Sequence, residues 1–292
     1  MQIQDLLYQY RHAPDHLDTE LIIAHSLKRS REWVLTYLHY QLTDSQVRHI
    51  NYLIQRRLQE EPLAYILGFK EFYGLKFQVN HHTLIPRPET EIMVDLALQY
   101  LKNIRLKNHP INILDLGTGS GNIIIALAKN ILQSKLSFSH KEITFQGTDI
   151  SLAALEIAKK NARFHKVDQF ISFTSSDLLN EVDFNSSPSF NLILANLPYL
   201  SSHNYQNTPI TVKKYEPHSA LHSPQKGLNH YIRLFNQIKN RKLHHQKLSL
   251  ILEFSPEQKK LLEAEIAQRF STAQIKFYRD LSQRWRVVHL IF

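Results

Sequence analysis

Three of the chain's seven glycines fall within five residues, at Gly117, Gly119 and Gly121. They follow an apolar segment at 111–114 that predicts a buried strand and precede a segment at 121–132 that predicts a helix. A chain with so few glycines uses them where the backbone needs a positive φ or must lie close to another group. The order strand, glycine turn, helix therefore predicts a ligand-binding loop in an α/β sheet.

Beyond residue 110, segments that predict strands alternate with segments that predict helices. The predicted strands lie at 111–114, 143–145, 170–173, 190–195, 248–252, 275–277 and 286–291, and the predicted helices at 121–132, 151–164, 228–240 and 257–269. This alternation predicts the α/β class with a parallel, doubly wound, Rossmann-like sheet. In such sheets ligands bind where the carboxyl ends of the strands open into loops.

The first part of the chain predicts a small helical domain. Apolar residues recur at helical spacing from Leu17 to Leu27. A second helix is predicted from Thr43, where Gln46 completes a capping box, to the residues before Pro62. We therefore expect a helical domain at 1–69, a hairpin and proline-rich linker at 70–88, and an α/β domain at 89–292.

The composition is that of an ordinary globular protein, with 43% hydrophobic and 21% charged residues. Cysteine is absent, which excludes disulfides, thiolate metal sites and a cysteine nucleophile. The chain has no apolar run long enough for a membrane span, and Asp5 lies in a start that is not basic, so we expect neither a span nor a secretory signal but a cytoplasmic protein. The pairs His12/His16 and His218/His222 lack the pattern of a metal site, so no metal is expected.

The net charge of +9 is concentrated in the last third of the chain. Residues 200–292 hold 15 of the 35 Lys and Arg but only 6 of the 26 Asp and Glu, which accounts for the whole excess. Such an asymmetry indicates either a basic, soluble surface or proximity to an anionic partner such as RNA or the ribosome.

The glycine loop indicates a nucleotide-type cofactor without a pyrophosphate. Its spacing is G-x-G-x-G with Asn122 next, unlike the dinucleotide fingerprint, and it lacks the lysine of a phosphate-binding loop. Asp149 follows the second predicted strand, where an acid can accept two ribose hydroxyls. These features favour S-adenosylmethionine, with its ammonium group attracted to Asp115 and its adenine near Asp177. The predicted cofactor residues are Asp115, Gly117, Thr118, Gly119, Ser120, Gly121, Asp149, Asp177, Leu178 and Asn196.

The tetrapeptide Asn196-Leu197-Pro198-Tyr199 follows the strand predicted at 190–195. A planar amine or amide nitrogen is a poor nucleophile because its lone pair is delocalised. The Asn196 side-chain oxygen and the Leu197 carbonyl can accept both of its N–H groups and direct the lone pair toward a methyl sulfonium, while Pro198 fixes the turn and Tyr199 stacks on the planar group. From the residues alone, this predicts a methyltransferase acting on a planar nitrogen, with S-adenosylhomocysteine as the product.

Further motifs are spread along the chain: Arg56-Arg57, Glu-Pro-Leu-Ala-Tyr-Ile-Leu-Gly at 61–68, Glu-Phe-Tyr-Gly at 71–74, Ile-Pro-Arg-Pro-Glu-Thr-Glu at 85–91, the loop at 115–121, Thr-Asp-Ile-Ser at 148–151, Glu216-Pro217, Ala220-Leu221, Gly227-Leu228 and Tyr231. By these motifs the chain resembles, over almost its whole length, the HemK/PrmC-type peptide chain release factor N(5)-glutamine methyltransferases.

The resemblance implies a specific protein substrate. In that family the methyl group goes to the glutamine of a Gly-Gly-Gln loop in class I release factors, which tunes translation termination. The resemblance implies the same substrate here, and it implies that the helical domain recognises it. Arg87, in the motif at 85–91, is either an active-site electrostatic residue or a charge of the linker. We expect a monomer.

Two alternatives follow from departures within the tetrapeptide. The family usually has Pro where this chain has Leu197, and Asn-Leu-Pro-Tyr also resembles ribosomal RNA adenine dimethyltransferases. Those enzymes usually continue with Asn, where this chain has Leu200, and they lack the motif at 85–91. The alternatives are therefore an adenine N-methyltransferase acting on ribosomal RNA and a cofactor-binding protein that Leu197 has disabled.

Overall fold

A computed structural model describes residues 1–11, 15–103, 110–133, 143–184, 190–245 and 247–292. The chain forms two compact units. The first contains residues 1–69 and 209–215, and the second contains residues 70–208 and 216–292. Residues 209–215, which the sequence analysis assigned to the α/β domain, thus belong to the first unit, and the predicted linker at 70–88 belongs to the second.

The predicted helices and strands occur in the predicted order, together with short helices that the hydrophobic pattern did not predict at 3–9, 31–36, 63–67 and 202–227. The helices are α1 Ile3–Gln9, α2 His16–Leu27, α3 Arg31–Thr36, α4 Asp44–Leu58, α5 Leu63–Leu67, α6 Glu91–Asn103, α7 Asn122–Gln133, α8 Leu152–Phe164, α9 Ser202–Gln206, α10 Ile210–Tyr215, α11 His218–Leu221, α12 Pro224–Gly227, α13 Asn229–Asn240 and α14 Lys259–Arg269. The strands are β1 Phe69–Phe72, β2 Leu75–Gln78, β3 Ile111–Leu116, β4 Ile143–Asp149, β5 Ile171–Ser175, β6 Leu192–Ala195, β7 Ser249–Glu253, β8 Gln274–Arg279 and β9 Trp285–Ile291. Short turns of 3-10 helix lie at Pro88–Thr90, Leu243–His245 and Pro256–Gln258.

The first unit is helical, as predicted, and its helix ends follow local capping chemistry. The Thr43 hydroxyl accepts the Gln46 N–H, and the Gln46 side chain accepts the Thr43 N–H, so the predicted capping box starts α4. The prediction that Pro62 ends this helix is wrong, because α4 stops at Leu58 and Pro62 instead precedes α5. The first N–H groups of a helix have no carbonyl partner within it, so proline, which has no N–H, is favourable at a helix start.

The segment at 209–215 completes the first unit. In α10 the Tyr215 hydroxyl donates to the Gln59 carbonyl over 2.7 Å, just beyond the end of α4. The core of this unit is made of aliphatic side chains: Ile3, Leu6, Ile22, Ile23, Ala24, Val34, Leu42, Ile50, Leu53, Ile54 and Ile66.

The second unit is built on a seven-stranded sheet with the order β5-β4-β3-β6-β7-β9-β8. The strands from β5 to β7 are parallel to their neighbours. The prediction of a wholly parallel sheet is wrong at one strand, since β9 runs antiparallel to both β7 and β8. The predicted α/β class and Rossmann-like methyltransferase sheet are otherwise confirmed.

The central strands are covered on both faces, which explains their continuous apolar character. All six residues of β3, all four of β6 and all five of β7 are buried. Two apolar clusters pack against the sheet, one including α6 and α7 and the other including α13 and α14. Parallel strands enclosed in this way present their functional groups at the strand ends. Within the described part of the chain, none of the helices combines the length and apolar character that crossing a membrane requires.

Candidate active site

The loops after β3, β4 and β6 leave the sheet side by side. Leu116, the last residue of β3, pairs with Thr148 of β4 on one side and with Ala195 of β6 on the other. Because all three strands are parallel, Gly117 after β3, Asp149 at the end of β4 and Asn196 after β6 lie at one level of one sheet edge. A cavity of about 450 Å³ opens there, which is within the range of small-ligand sites.

The glycine loop takes a conformation that favours glycine. Gly117 and Gly119 both have positive φ, at 67° and 55°. Between them, the Thr118 N–H donates to the Thr148 carbonyl over 2.8 Å. A Cβ on Gly119 would meet no atom closer than 4.0 Å, and Gly119 lines the cavity. Its lack of a side chain therefore leaves room for a ligand rather than for protein packing.

Gly121 serves a different purpose from the other two glycines. It is not among the residues that line the cavity. A Cβ at this position would lie 2.7 Å from Ile125 Cδ1 and 3.2 Å from Ala158 Cβ. The third glycine thus allows α7 to pack closely on α8, and the structure does not bring it to the ligand space that the sequence analysis assigned to it.

The Asp149 carboxylate lines the cavity and ties its loop to the glycine loop. Its Oδ2 accepts the Gly119 N–H and its Oδ1 accepts the Ser151 N–H, each over 2.9 Å. Burial raises the pKa of this carboxyl, although the two N–H groups oppose the rise. Each carboxylate oxygen has a further lone pair that a sugar hydroxyl can use.

Asp115 lies behind the glycine loop rather than in the cavity. It is fully buried, and its Oδ2 accepts the Thr118 hydroxyl over 2.7 Å. Its Oδ1 is buried with no hydrogen-bond partner among the described residues. Burial raises the pKa of this carboxyl to about 7, with the nearby Asp149 adding to the rise and the Thr118 bond opposing it.

Asp177 and Leu178 lie beyond the end of β5 and line the same cavity. The Asp177 carboxylate pairs with the Arg233 guanidinium over 2.5 Å, and Leu178 is buried with a φ of 57°. Arg233, which sequence reasoning missed, also lines the cavity. This end of the cavity therefore presents an apolar side chain beside a paired carboxylate.

The tetrapeptide after β6 is only partly at the cavity. Asn196, Leu197 and Pro198 line it, whereas Tyr199 does not. The Tyr199 hydroxyl donates to Glu253 Oε1 over 3.2 Å, and burial raises its pKa. Tyr199 is thus half-buried with its hydroxyl directed at Glu253, and the structure does not bring it to the cavity where stacking was predicted.

Leu197 packs on the glycine loop. Its side chain is 3% exposed, and its Cδ2 lies 3.4 Å from the position that a Cβ on Gly117 would occupy. Its carbonyl lies 3.4 Å from the hydroxyl of buried Tyr231, which donates over 2.5 Å to the Glu253 carbonyl. The residue that departs from the family pattern therefore contributes apolar packing at the cavity wall.

Sequence reasoning missed two residues that contact the tetrapeptide. The Thr90 hydroxyl donates to Glu253 Oε2 over 2.6 Å, and it accepts the Asn196 Nδ2–H over 3.2 Å. Thr90 and Glu253 are each 1% exposed. One signal was available for Glu253, because a carboxylate at the end of buried β7 falls at the same sheet edge as Asn196.

Arg87 also lines the cavity. Its guanidinium forms an ion pair with Glu216, whose side chain is 1% exposed. The other Glu216 oxygen accepts the Ile85 N–H over 3.0 Å. Buried Glu216 thus fixes the proline-rich segment at the cavity and partly neutralises Arg87.

The structure brings together most of the predicted site residues. Eleven of them line the cavity: Arg87, Gly117, Thr118, Gly119, Ser120, Asp149, Asp177, Leu178, Asn196, Leu197 and Pro198. Asp115, Gly121 and Tyr199 stand behind the cavity wall. Among the described residues, no group of three or more His, Asp or Glu side chains is arranged to hold a metal ion. His12 of the pair His12/His16 lies outside the described residues.

The sequence matches known protein families and relatives over most of its length. Residues 2–68 match the PrmC N-terminal domain, and residues 107–263 match a methyltransferase domain. The release factor glutamine methyltransferase of Buchnera aphidicola subsp. Baizongia pistaciae is 36% identical over 93% of this chain and 90% of its own length. The release factor glutamine methyltransferase of Rhodopirellula baltica is 31% identical over 94% of this chain and 88% of its own length.

Solved structures agree on the fold. The hMettl16 catalytic domain, crystallised in complex with the MAT2A 3′UTR hairpin 1, aligns with a TM-score of 0.52 at 14% identity, covering 87% of this chain and 83% of that one. At this identity the likeness shows the fold alone. The identities of 36% and 31% to the two bacterial enzymes, over most of each chain, show that this chain belongs to the release factor glutamine methyltransferase family.

Proposed function

We propose that this protein transfers a methyl group from S-adenosylmethionine to the side-chain amide nitrogen of the glutamine in the Gly-Gly-Gln motif of class I peptide chain release factors. One observation carries the proposal. The turn that begins at Asn196 and the glycine loop of a methyltransferase domain line the same cavity. The names of the relatives support the choice of substrate.

The cavity residues fit the cofactor on structural grounds. Gly119 leaves open space where any side chain would project, and Asp149 presents carboxylate lone pairs to the same space. The unpaired Oδ1 of Asp115 adds negative potential behind the loop when it is ionised. We assign Asp149 to the ribose hydroxyls, Leu178 and Asp177 to the adenine end, and Gly117 to Ser120 to the backbone wall. S-adenosylmethionine supplies an electrophilic methyl group on a sulfonium.

Asn196 is the residue that activates the substrate nitrogen. Its Oδ1 accepts one amide N–H, and the Leu197 carbonyl accepts the other, which localises the nitrogen lone pair and directs it at the methyl group. No base is needed before attack, because the methylated nitrogen becomes acidic and loses its proton to solvent afterwards. Positioning and exclusion of water then provide most of the rate enhancement. Arg87, held by Glu216, places a paired guanidinium in the cavity wall.

The remaining assignments concern the protein as a whole. The helical unit of residues 1–69 and 209–215 binds the release factor, and the α/β unit of residues 70–208 and 216–292 carries the chemistry. The protein acts as a cytoplasmic monomer, requires no metal and releases S-adenosylhomocysteine. The basic last third of the chain keeps it near RNA or the ribosome.

Mass spectrometry of a class I release factor, after incubation with this protein and S-adenosylmethionine, tests the proposal. We expect the mass of one CH₂ unit to be added to the Gly-Gly-Gln peptide, and no addition when its glutamine is replaced by alanine. Methylation of ribosomal RNA, with the release factor unmodified, would instead support the adenine methyltransferase alternative. Binding of S-adenosylhomocysteine with no transfer to either substrate would support the disabled-enzyme alternative.

A further inference from the structure

Three side chains that are distant in sequence form a hydrogen-bonded chain at the end of the cavity wall. Thr90 lies in the 3-10 turn before α6, Asn196 follows β6, and Glu253 ends β7. The Asn196 Nδ2 lies 3.2 Å from the Thr90 hydroxyl oxygen, which lies 2.6 Å from Glu253 Oε2. Thr90 and Glu253 are buried, and Thr90 and Asn196 both line the cavity.

The number of protons available to these three side chains fixes which group donates and which accepts in each hydrogen bond. An ionised carboxylate only accepts hydrogen bonds, so the single hydroxyl proton of Thr90 must point to Glu253. The Thr90 oxygen can then only accept from Asn196, and only the Nδ2 end of the Asn196 amide carries protons to donate. The opposite amide orientation would place Asn196 Oδ1 against the lone pairs of Thr90, with no proton between them.

We propose that Thr90 and Glu253 are positioning residues that hold the Asn196 amide with its Oδ1 toward the cavity, where it accepts an N–H of the substrate amide. This inference rests on the proposed function and adds a specificity element to it. Without the hydrogen bonds that link it through Thr90 to Glu253, the Asn196 amide is free to turn either end toward the cavity. Its NH₂ end would repel the NH₂ of a glutamine side chain.

The second oxygen of Glu253 is also engaged. Oε1 accepts the Tyr199 hydroxyl over 3.2 Å, so both carboxylate oxygens receive donors from residues around Asn196. Burial raises the pKa of the Glu253 carboxyl, and the hydrogen bonds from Thr90 and Tyr199 and the positive charge of Arg286 oppose that rise. A buried carboxylate lowers the stability of the fold unless its oxygens accept hydrogen bonds. This requirement keeps the Thr90 hydroxyl as a donor to Glu253.

The orientation predicts discrimination between an amide and an acid at the substrate position. A glutamine side chain donates to Asn196 Oδ1, whereas the carboxylate of a glutamate would face that oxygen with lone pairs on both sides. Sites built around a specific hydrogen bond reject analogues that cannot make it far more strongly than apolar pockets reject a small change in size. The ratio of the affinities for the glutamine and glutamate forms of the substrate therefore reports which end of the Asn196 amide faces the cavity.

The experiment compares Thr90→Val with Thr90→Ser in the full chain. The dissociation constants of two forms of a release factor, with Gln or Glu in the Gly-Gly-Gln motif, are measured by calorimetry in the presence of S-adenosylhomocysteine. We expect the wild-type protein and Thr90→Ser to prefer the Gln form by about tenfold or more. Thr90→Val keeps the shape but removes the hydroxyl, and we expect the preference to fall to about threefold or less.

Turnover provides the second readout. For Thr90→Val we expect kcat to fall by about tenfold or more, with the KM for S-adenosylmethionine changed by less than about twofold and near-wild-type kcat in Thr90→Ser. An unchanged Gln/Glu preference together with unchanged kcat in a folded Thr90→Val variant would overturn the inference. If Thr90→Val does not fold, Glu253→Gln replaces it, because Gln can either donate to or accept from Thr90. An unchanged preference in that variant is then the overturning result.

Failure of the proposed function can be told apart from failure of the inference about Thr90 and Glu253. If the wild-type protein neither binds nor methylates the release factor, the substrate assignment is wrong before any variant is made. If the wild-type protein methylates the glutamine but does not prefer the Gln form over the Glu form, the substrate assignment stands and the orienting role of Thr90 and Glu253 is wrong.

Discussion

The backbone N–H of Gly119 donates to Asp149 Oδ2 over 2.9 Å, and this contact joins the loop after β3 to the end of β4. The same carboxylate receives the Ser151 N–H at the start of α8. Asp149 therefore both shapes the glycine loop and faces the cavity beside it. A substitution here removes the contact with the glycine loop and, in our assignment, a contact with the ribose of the cofactor.

Asp149→Ala is expected to weaken binding of S-adenosylhomocysteine by about 100-fold, since hydrogen bonds to a charged group contribute about 1.5–3 kcal/mol each. The kcat at saturating S-adenosylmethionine is expected to fall much less, because Asp149 does not touch the acceptor nitrogen in our assignment. Isothermal titration calorimetry measures the affinity. Asp168→Ala, at an exposed acid of the same domain, is the matched control, and equal affinities in the two variants would contradict the assignment.

The contrast between Gly119 and Gly121 gives a paired prediction. In Gly119→Ala the new methyl group enters open cavity space, so we expect the ligand affinity to fall about tenfold or more, with about 1 kcal/mol of unfolding free energy lost to the positive φ. In Gly121→Ala the methyl group meets Ile125 and Ala158, so we expect a loss of about 2–4 kcal/mol in stability. Urea unfolding and calorimetry on both variants measure these effects.

Each member of that pair serves as the control for the other. If Gly119→Ala binds S-adenosylhomocysteine as well as the wild-type protein does, the cofactor does not lie against the loop as we assign it. If Gly121→Ala keeps wild-type stability, the close approach of α7 and α8 is not what requires glycine at that position.

Asn196→Ala separates chemistry from cofactor binding. Because the Asn196 side chain is hydrogen-bonded to Thr90 and is assigned to the substrate nitrogen, we expect kcat to fall by about 1,000-fold while the affinity for S-adenosylhomocysteine changes by less than about threefold. Single-turnover methylation of a release factor measures the first quantity and calorimetry the second. Parallel losses of both would show that Asn196 acts mainly by holding the cofactor.

The features that the sequence predicted well depend on local patterns. The capping box of Thr43 and Gln46 and the strand-turn-helix at the glycine loop each lie within about ten residues, where backbone preference and hydrogen-bonding chemistry decide the outcome. The antiparallel β9 was missed, yet its signal was also local. Only five residues separate Arg279 from Trp285, and such a connection is too short for the crossover that parallel neighbours need.

The features that were missed depend on contacts across the whole domain. Thr90 and Glu253 are 163 residues apart in the chain, and no periodicity in one sequence pairs them. The burial of Asp115 was likewise invisible, because its motif is the same whether the carboxylate faces the ligand or the core. Tertiary packing decided both cases.

Asp115→Asn is predicted to change how stability depends on pH. Burial raises the pKa of this carboxyl to about 7 in the folded protein, whereas an exposed aspartate has a pKa of about 3.9. The folded state therefore binds more protons than the unfolded state between these values, so stability falls as the pH rises from about 4 to about 7. Asparagine has no such titration, so we expect Asp115→Asn to gain up to about 4 kcal/mol relative to the wild-type protein across that range.

Urea unfolding without ligand at pH 4, 5, 6, 7 and 8 measures this difference. Any penalty for burying an asparagine NH₂ is the same at each pH, so only the slope bears on the prediction. Asp168→Asn, at an exposed acid, controls for the removal of one negative charge. Parallel stability curves for Asp115→Asn and the wild-type protein would show that Asp115 is ionised in the fold at acidic pH.

Leu197→Pro tests whether the departure from the family pattern disables the enzyme. The carbonyl that we assign to the second substrate N–H remains in both residues, and the Leu197 side chain packs at the cavity wall near Gly117. We therefore expect kcat for the release factor to change by less than about tenfold, which corresponds to less than about 1.4 kcal/mol in the barrier.

Leu197→Ala is the companion variant, because it removes the apolar contact without altering the backbone. We expect it to lower the unfolding free energy by about 2 kcal/mol, since truncating a buried leucine leaves a cavity. Methylation assays and urea unfolding of both variants separate the two effects. A large rise in turnover with Leu197→Pro, from a wild-type protein that barely methylates the release factor, would mean that the backbone of this turn limits the reaction in the natural chain.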